Sequence, residues 1–378
     1  MRIPFNKPHM TGRELEYIAE AHHGRHLSGD GRFTARCQDW LERTLDCGKA
    51  LLTHSCTGAL EITALLANLK PGDEVIMPSF TFVSTANAFA LRGAVPVFVD
   101  IRNDTLNIDE RLVEAAVTEK TRAVVVVHYA GVACEMDAIL AIAARHKLLL
   151  IEDAAHGVMA YYRGRALGSM GPLATLSFHE TKNVISGEGG ALLVNDASLI
   201  DRAEVIREKG TDRSRFMRGQ VDKYTWVGLG SSFLPSEIVA AFLFAQMQDA
   251  EAITARRLAI WQRYHVAFAA VEAEGKVRRP IVPPHCAHNA HLYYLLLPSF
   301  AARGAFIAEM ERHDINCVFH YVPLHSSPAG VRYGRIHGEL PVTERASGCL
   351  VRLPLWLGLE DCLDLVTNRA ISAIQRTC

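Results

Sequence analysis

Leu148-Leu149-Leu150-Ile151-Glu152-Asp153-Ala154-Ala155-His156 is a continuous apolar run that ends in two adjacent acids, with a histidine one helical turn further on. An unbroken aliphatic run, rather than an alternating one, suits a strand covered on both faces. Comparable β-rich runs recur at residues 50–53, 74–77, 95–99, 123–128, 174–177 and 191–194. The segments between them have helical spacing. Residues 57–69 place Leu60, Thr63, Ala64 and Ala67 on one face, and residues 137–146 do the same with Ile139, Leu140, Ile142 and Ala143. Strand–helix alternation of this kind predicts an α/β fold with a mostly parallel open sheet. Beyond Leu234-Pro235 the composition changes. Residues 236–264 read as one long helix, and the remainder carries an apolar run at 291–297, a helix near 303–313, the segment 316–321 and a closing helix from Asp361. The expected division is a large domain over 1–245 and a smaller C-terminal α/β domain over 246–378.

The chemistry sits at the ends of these strands. Ser177-Phe178-His179-Glu180-Thr181-Lys182 is followed directly by Asn183-Val184-Ile185-Ser186-Gly187-Glu188-Gly189-Gly190. A strand that delivers an acid, Asp153, and then a lysine near a hydroxyl and a glycine-rich turn make up the set that pyridoxal phosphate chemistry requires. The lysine forms a Schiff base, and the acid pairs with the pyridinium nitrogen so that the ring withdraws electrons. Burying a carboxylate at a strand end is costly without a charged partner, and a pyridinium N–H is such a partner. Lys182 in that setting titrates low and is the natural base for moving a proton at the substrate carbon.

The other candidates follow from the same picture. His54-Ser55-Cys56-Thr57-Gly58-Ala59 leads from a strand into a helix, whose N-terminus holds a phosphate well. Thr57 would give a hydroxyl and Gly58 a backbone N–H, with Ser177 reaching the same phosphate; a helix cap with no ligand has the same appearance. In Pro78-Ser79-Phe80-Thr81-Phe82, Phe82 is the aromatic expected to stack on a cofactor ring, both phenylalanines in the core being the alternative. His156 is placed to lie over the ring or bond its phenolic oxygen, or else is a satisfied core histidine.

Bulk properties exclude other classes. Forty basic and 41 acidic side chains give a net charge of −1, which offers nothing to a nucleic acid. The densest basic stretch is Arg207, Lys209, Arg213, Arg215 and Arg218, either a solvated helix end or a grip on an anion. Nine cysteines without a CxxC pair argue against a zinc ribbon, so no metal is expected, and they fit reduced thiols in a cytosolic protein. The N-terminal Met1-Arg-Ile-Pro-Phe-Asn-Lys-Pro8 lacks the apolar core of a signal peptide, and no run approaches the ~20 residues that cross a membrane. A soluble, cytoplasmic protein is the expectation. No GxGxxG follows a first strand, which removes the nicotinamide dehydrogenase alternative.

These residues resemble those of the DegT/DnrJ/EryC1/StrS sugar aminotransferases, fold-type I pyridoxal phosphate enzymes, along nearly the whole chain. The likeness includes Ile3-Pro-Phe-Asn-Lys-Pro8, Leu27-Ser-Gly-Asp30, Pro78-Ser-Phe-Thr-Phe-Val-Ser-Thr-Ala-Asn87, Glu152-Asp-Ala-Ala-His156 and Ser177-Phe-His-Glu-Thr-Lys182. It implies Lys182 as the Schiff-base lysine, Asp153 on the ring nitrogen, Phe82 on the ring, Thr57, Gly58 and Ser177 on phosphate, and His156 in a place that is often Gln. It also implies a homodimer with shared active sites. Many members carry Gly-x-Asn-x-Arg where this chain has Gly230-Ser231-Ser232-Phe233-Leu234, a loop that reaches the partner's site. Ser232 is then expected on phosphate, and Arg218 as the guanidinium for an anionic substrate. His320 and His325 are expected as nucleotide-sugar contacts, or else as structural residues. The runs His128–Asp137 and Phe319–His325 are similar to members that move an amino group from L-glutamate to C4 of dTDP-4-dehydro-6-deoxyglucose. Amination at C3 and a non-catalytic regulator on this fold are the alternatives. A sugar 3-dehydratase would carry His in place of Lys182.

Overall fold

The computed structural model describes residues 2–378. The strands are β1 (Lys49–Thr53), β2 (Glu74–Pro78), β3 (Val95–Val99), β4 (Thr121–Val127), β5 (Leu149–Asp153), the short β6 (Tyr161–Tyr162) and β7 (Arg165–Ala166), β8 (Leu173–Ser177), β9 (Gly190–Val194), the short β10 (Cys286–Ala287), β11 (Tyr293–Leu296), β12 (Arg335–Ile336) and β13 (Leu350–Leu353). Eight form one sheet in the order β1-β9-β8-β5-β4-β2-β3-β12. Pairing is parallel from β8 through β5, β4 and β2 to β3 and β12; β9 alone runs against its neighbours β1 and β8. The chain is therefore α/β with a mostly parallel central sheet. All seven expected strands of the sheet's body are present, because runs such as Val124–Val127 and Leu150–Ile151 are inaccessible on both faces.

Parallel strands that all point the same way bring their carboxyl ends to one edge, where loops collect. Ser55 to Thr57 leave β1, Ser79 to Phe82 leave β2, and His128 leaves β4. Asp153 ends β5 and Ser177 ends β8. Helices over Cys56–Leu66 and Met136–His146 cover the sheet, close to the expected spans.

The long helix expected over 236–264 is two helices, Glu237–Gln248 and Ala250–Ala267, broken at Asp249 (φ −103°, ψ 8°). The reason is packing. Ala240, Ala241, Leu243, Ala245 and Met247 join the core beside the sheet, whereas Ile253, Ile260, Trp261 and Tyr264 join a second core. One straight helix cannot feed both. The division proposed at 245/246 lies in the last turn of the first helix, and Ala250 still packs in the first core. The second core gathers Tyr293, Leu295, Phe306, Val351, Leu353 and the closing helix Leu363–Thr377 around the antiparallel pair β11–β13, and it takes in Ile3 from the N-terminus. Segment 316–321 forms no strand; one β-bridge, between Val318 and Arg352, links it to β13.

One buried acid fixes the start of this architecture. Glu237 accepts from the backbone N–H groups of Gly31 (3.1 Å), Phe33 (2.7 Å) and Thr34 (3.0 Å) and from the Thr34 hydroxyl (2.5 Å). The helix Arg32–Leu45 has no cap of its own, so a residue two hundred positions away terminates it. A side chain at Gly31 would place its Cβ 2.5 Å from the Glu237 carboxyl carbon, which is why glycine stands there. Glu237→Ala leaves those donors buried and unpaired, and should destabilise the protein by about 3 kcal/mol, read as a lower chemical denaturation midpoint. Glu237→Gln keeps one acceptor oxygen and should recover part of the loss.

Candidate active site

The strand ends and the second core enclose a cavity of about 730 Å³. Thr57, Phe82, Asp153, His156, Ser177, Lys182 and His320 line it together, although they come from five separate stretches of chain. Asp153 is buried. Its carboxylate accepts from the Thr85 hydroxyl (2.8 Å) and the Ala155 N–H (3.2 Å), yet burial still raises its pKa above the usual carboxylate range; Lys182 and His128 pull the other way. Lys182 keeps contact with the cavity but is otherwise surrounded. Desolvation, which Cys56 and Asp153 oppose, brings its amine down to about 8. A lysine that titrates there is partly neutral near pH 7 and serves as nucleophile or base.

Three imidazoles form the wall beside the lysine. His156 stacks on His291 with ring centroids 4.0 Å apart, and on His320 at 6.3 Å. His156 Nδ1 accepts from the Ala130 N–H at 3.3 Å, and its Nε2 lies 3.5 Å from the Tyr321 hydroxyl. His320 Nδ1 lies 2.8 Å from the Tyr129 hydroxyl. Burial holds all three well below the ordinary histidine pKa, reinforced for His156 and His320 by the Arg352 charge and for His291 by His156 and Lys182. The row is neutral at physiological pH.

A second network fixes this wall. Asn289 donates to the carbonyls of His156 and Val158, both at 2.7 Å, and its Oδ1 accepts from the His291 N–H at 3.0 Å. Asn183, next to the lysine, donates to the Asn289 carbonyl at 2.8 Å and lies 3.1 Å from His291 Nδ1. Gly131 has φ +78°, and a Cβ there would fall 2.0 Å from Asn289 Oδ1.

Four expected residues lie elsewhere. Gly58 does not line the cavity; its N–H is taken by the Ser55 hydroxyl at 3.0 Å, which caps the helix. Helix geometry leaves the N–H groups of Cys56 and Thr57 without intrahelical acceptors at the cavity wall instead. Arg218 pairs with Glu204 at 2.9 Å, because that largely buried acid needs a cation, and it lines a separate shallow cleft. His325 braces Ser79 (2.8 Å) against Glu344 (2.9 Å) and so serves structure. Ser232 is exposed, its backbone bridging Glu208, and it takes no part in this chain's own cavity. Phe82 stands at the mouth, 57% exposed, while Phe80 is buried against Tyr129 and Tyr321.

Sequence reasoning passed over Thr85, His291, Tyr321, Arg257 and Arg352, all of which line the cavity. Arg352 had a signal, as a charge between Val351 and Leu353 in a buried strand; Arg257, on a helix rich in arginine, had none.

The profile of the DegT/DnrJ/EryC1/StrS aminotransferase family matches residues 8–367. The chain belongs to that family. It is 33% identical over 368 residues to the spore coat polysaccharide biosynthesis protein SpsC of Bacillus subtilis, covering 95% of this chain and 93% of SpsC. Among solved structures, the aminotransferase TlmJ of Streptoalloteichus hindustanus superposes with a TM-score of 0.91 at 27% identity over both whole chains. DesV of S. venezuelae, solved with a reaction intermediate, gives 0.88 at 28% identity, over 99% of this chain and 98% of that one. This is a pyridoxal phosphate-dependent sugar aminotransferase fold, and the residues fit the cofactor. The deciding observation is Asp153, a buried carboxylate with raised pKa that forms no ion pair among the described residues, and to which a ring N–H is the matching partner.

With cofactor-free protein, the rate at which Lys182 captures added pyridoxal phosphate should rise with pH and level off above about 8, the titration point of its amine. A free lysine would place that inflection above about 10. Lys182→Ala should fold normally and show no covalent capture, as judged by borohydride reduction and mass.

Proposed function

We propose that the enzyme transfers an amino group from L-glutamate to C4 of dTDP-4-dehydro-6-deoxyglucose, giving dTDP-4-amino-4,6-dideoxygalactose. The stretches His128–Asp137 and Phe319–His325 carry this reading, through their likeness to the dTDP-4-amino-4,6-dideoxygalactose transaminase of enterobacterial common antigen synthesis. The polysaccharide context of SpsC supports a sugar substrate, and the likeness of those stretches supports a nucleotide-linked one. The single observation behind the aminotransferase itself is Lys182, at about 8, facing the same cavity as the buried Asp153. A regulator on this fold has no use for either.

In this reading Asp153 would hold the ring nitrogen, its carboxylate fixed by the Thr85 hydroxyl. Thr57, Ser177 and the free N–H groups of Cys56 and Thr57 would hold the phosphate, Phe82 would cover the ring, and His156 would serve the phenolic oxygen. Bound pyridoxal phosphate supplies the electron sink that stabilises negative charge next to the transferred nitrogen. Lys182 Nζ takes the proton from the donor's α-carbon. The Cys56 thiol, pushed up to about 12 by burial, stays protonated and does not compete as a nucleophile. A homodimer completes the site: residues 216–229 expose Phe216, Met217, Tyr224, Trp226, Val227 and Leu229, an apolar surface suited to a second copy, and Ser232 follows directly. A cytoplasmic location suits a water-soluble nucleotide sugar.

The test is an absorption titration of the loaded enzyme. L-glutamate should bleach the cofactor's visible band, and dTDP-4-dehydro-6-deoxyglucose should then restore it. A band that bleaches and fails to return with this sugar, but returns with a 3-keto isomer, moves the amination to C3. A band that no amino donor bleaches removes the proposed reaction.

A further inference from the structure

Two guanidiniums in the cavity wall have no carboxylate partner among the described residues. Arg257 is committed to the chain: Nε and Nη2 donate to the carbonyls of Ala290 (3.1 Å) and His291 (2.7 Å), straps on either side of the peptide that carries the stacked histidine. Arg352 is different. It stands in β13, opposite Tyr294, and both its Nε and its Nη2 aim at one acceptor, the Phe319 carbonyl, at 3.3 and 3.0 Å. Its guanidinium carbon lies 4.7 Å from the centre of the Phe5 ring, which covers one face of the group. Among the described residues Nη1 meets no acceptor, and it lies in a wall shared with Lys182, His156, His320 and Tyr321. The Arg352 charge is felt by the first three, each of which it makes harder to protonate. A half-buried cation set among other cations and neutral imidazoles is costly unless an anion arrives to meet it.

We propose that Arg352 binds the α-carboxylate of the amino donor. This rests on the aminotransferase reading above. The donor's α-carbon must come to Lys182 Nζ for its proton to move, and the α-carboxylate is one bond from that carbon. Its partner therefore belongs in the wall that holds the lysine. The diphosphate of a nucleotide sugar is separated from the aminated carbon by the sugar ring and the glycosidic oxygen, which places its cation nearer the mouth. Phe319 and Phe5 hold the guanidinium in one plane, so its open edge is oriented before the donor enters. The keto sugar brings no carboxylate, so Arg352 acts in the donor half of the reaction alone.

The experiment uses the loaded enzyme and two reagents, L-glutamate and hydroxylamine, the second being a carboxylate-free nucleophile for the cofactor. Arg352→Gln should raise the glutamate concentration for half-maximal bleaching by about 30-fold or more, the loss expected for a charge-assisted hydrogen bond. Its reaction with hydroxylamine should keep the unsubstituted rate. Arg352→Lys keeps the charge without the fork and should fall between. An unchanged response of Arg352→Gln to glutamate overturns the proposal. So does a parallel loss of both reactions, which marks a structural role. If the unsubstituted enzyme ignores glutamate but responds to L-glutamine or L-aspartate, the glutamate assignment alone falls, and the same comparison on that donor decides Arg352. Silence to all three overturns both readings.

Discussion

A carboxylate held out of water without a matching cation is the constraint around which this molecule is arranged. Asp153 ends the strand β5, where the sheet is covered on both sides, and the two hydrogen bonds it receives do not offset its desolvation. The acid immediately before it, Glu152, shows what a satisfied neighbour looks like. Glu152 accepts from His128 Nε2 and from the N–H groups of Gly168, Met170 and Gly171, and is a closed structural knot. Consecutive residues of one strand face opposite sides of the sheet, so one carboxylate knits the fold together and the other is left open to a ligand.

The charge on the other side of the cavity follows the same logic. Lys182, Arg257 and Arg352 enter a space whose histidines are kept neutral by burial, so the interior is electropositive without surplus protons. Such a space suits a phosphorylated cofactor and carboxylate donors, and it leaves the lysine amine partly free. A row of imidazolium ions in its place would depress the amine further and bind anions without regard to their shape.

The strands were legible from residues 50 to 194 because double-sided burial leaves continuous aliphatic runs, a signal that survives without any partner being known. Asp153 and Lys182 were legible because a charge at the end of such a run is expensive and so informative. The departures have two physical causes, a local helix cap that takes the expected donor and pairings made outside the local pattern. Gly58 gave its N–H to Ser55, the local cap that the sequence already offered as the alternative; Arg218 was claimed by Glu204, and His325 by Ser79 and Glu344, partners that the residues beside them do not announce. The break at Asp249 was hidden because each half of 236–264 is itself a good helix, and only the presence of two cores sets them at an angle. Arg352 was visible as an odd residue in an apolar strand, but its use depended on Phe5, near the other end of the chain.

The contact of Asn289 with Gly131 has a consequence for how a chain of this kind diversifies. Asn289 ties the loops after β4 and β5 to the peptide of His291, at a spacing that admits no side chain at position 131. Mutations there are closed off together, since a change at one residue unseats the other and the histidine row with them. Phe82 and Phe319 at the mouth are more than half exposed, so a change in either ring leaves that seam intact. A change of sugar preference is therefore least disruptive at the rim and most disruptive at the seam behind the lysine.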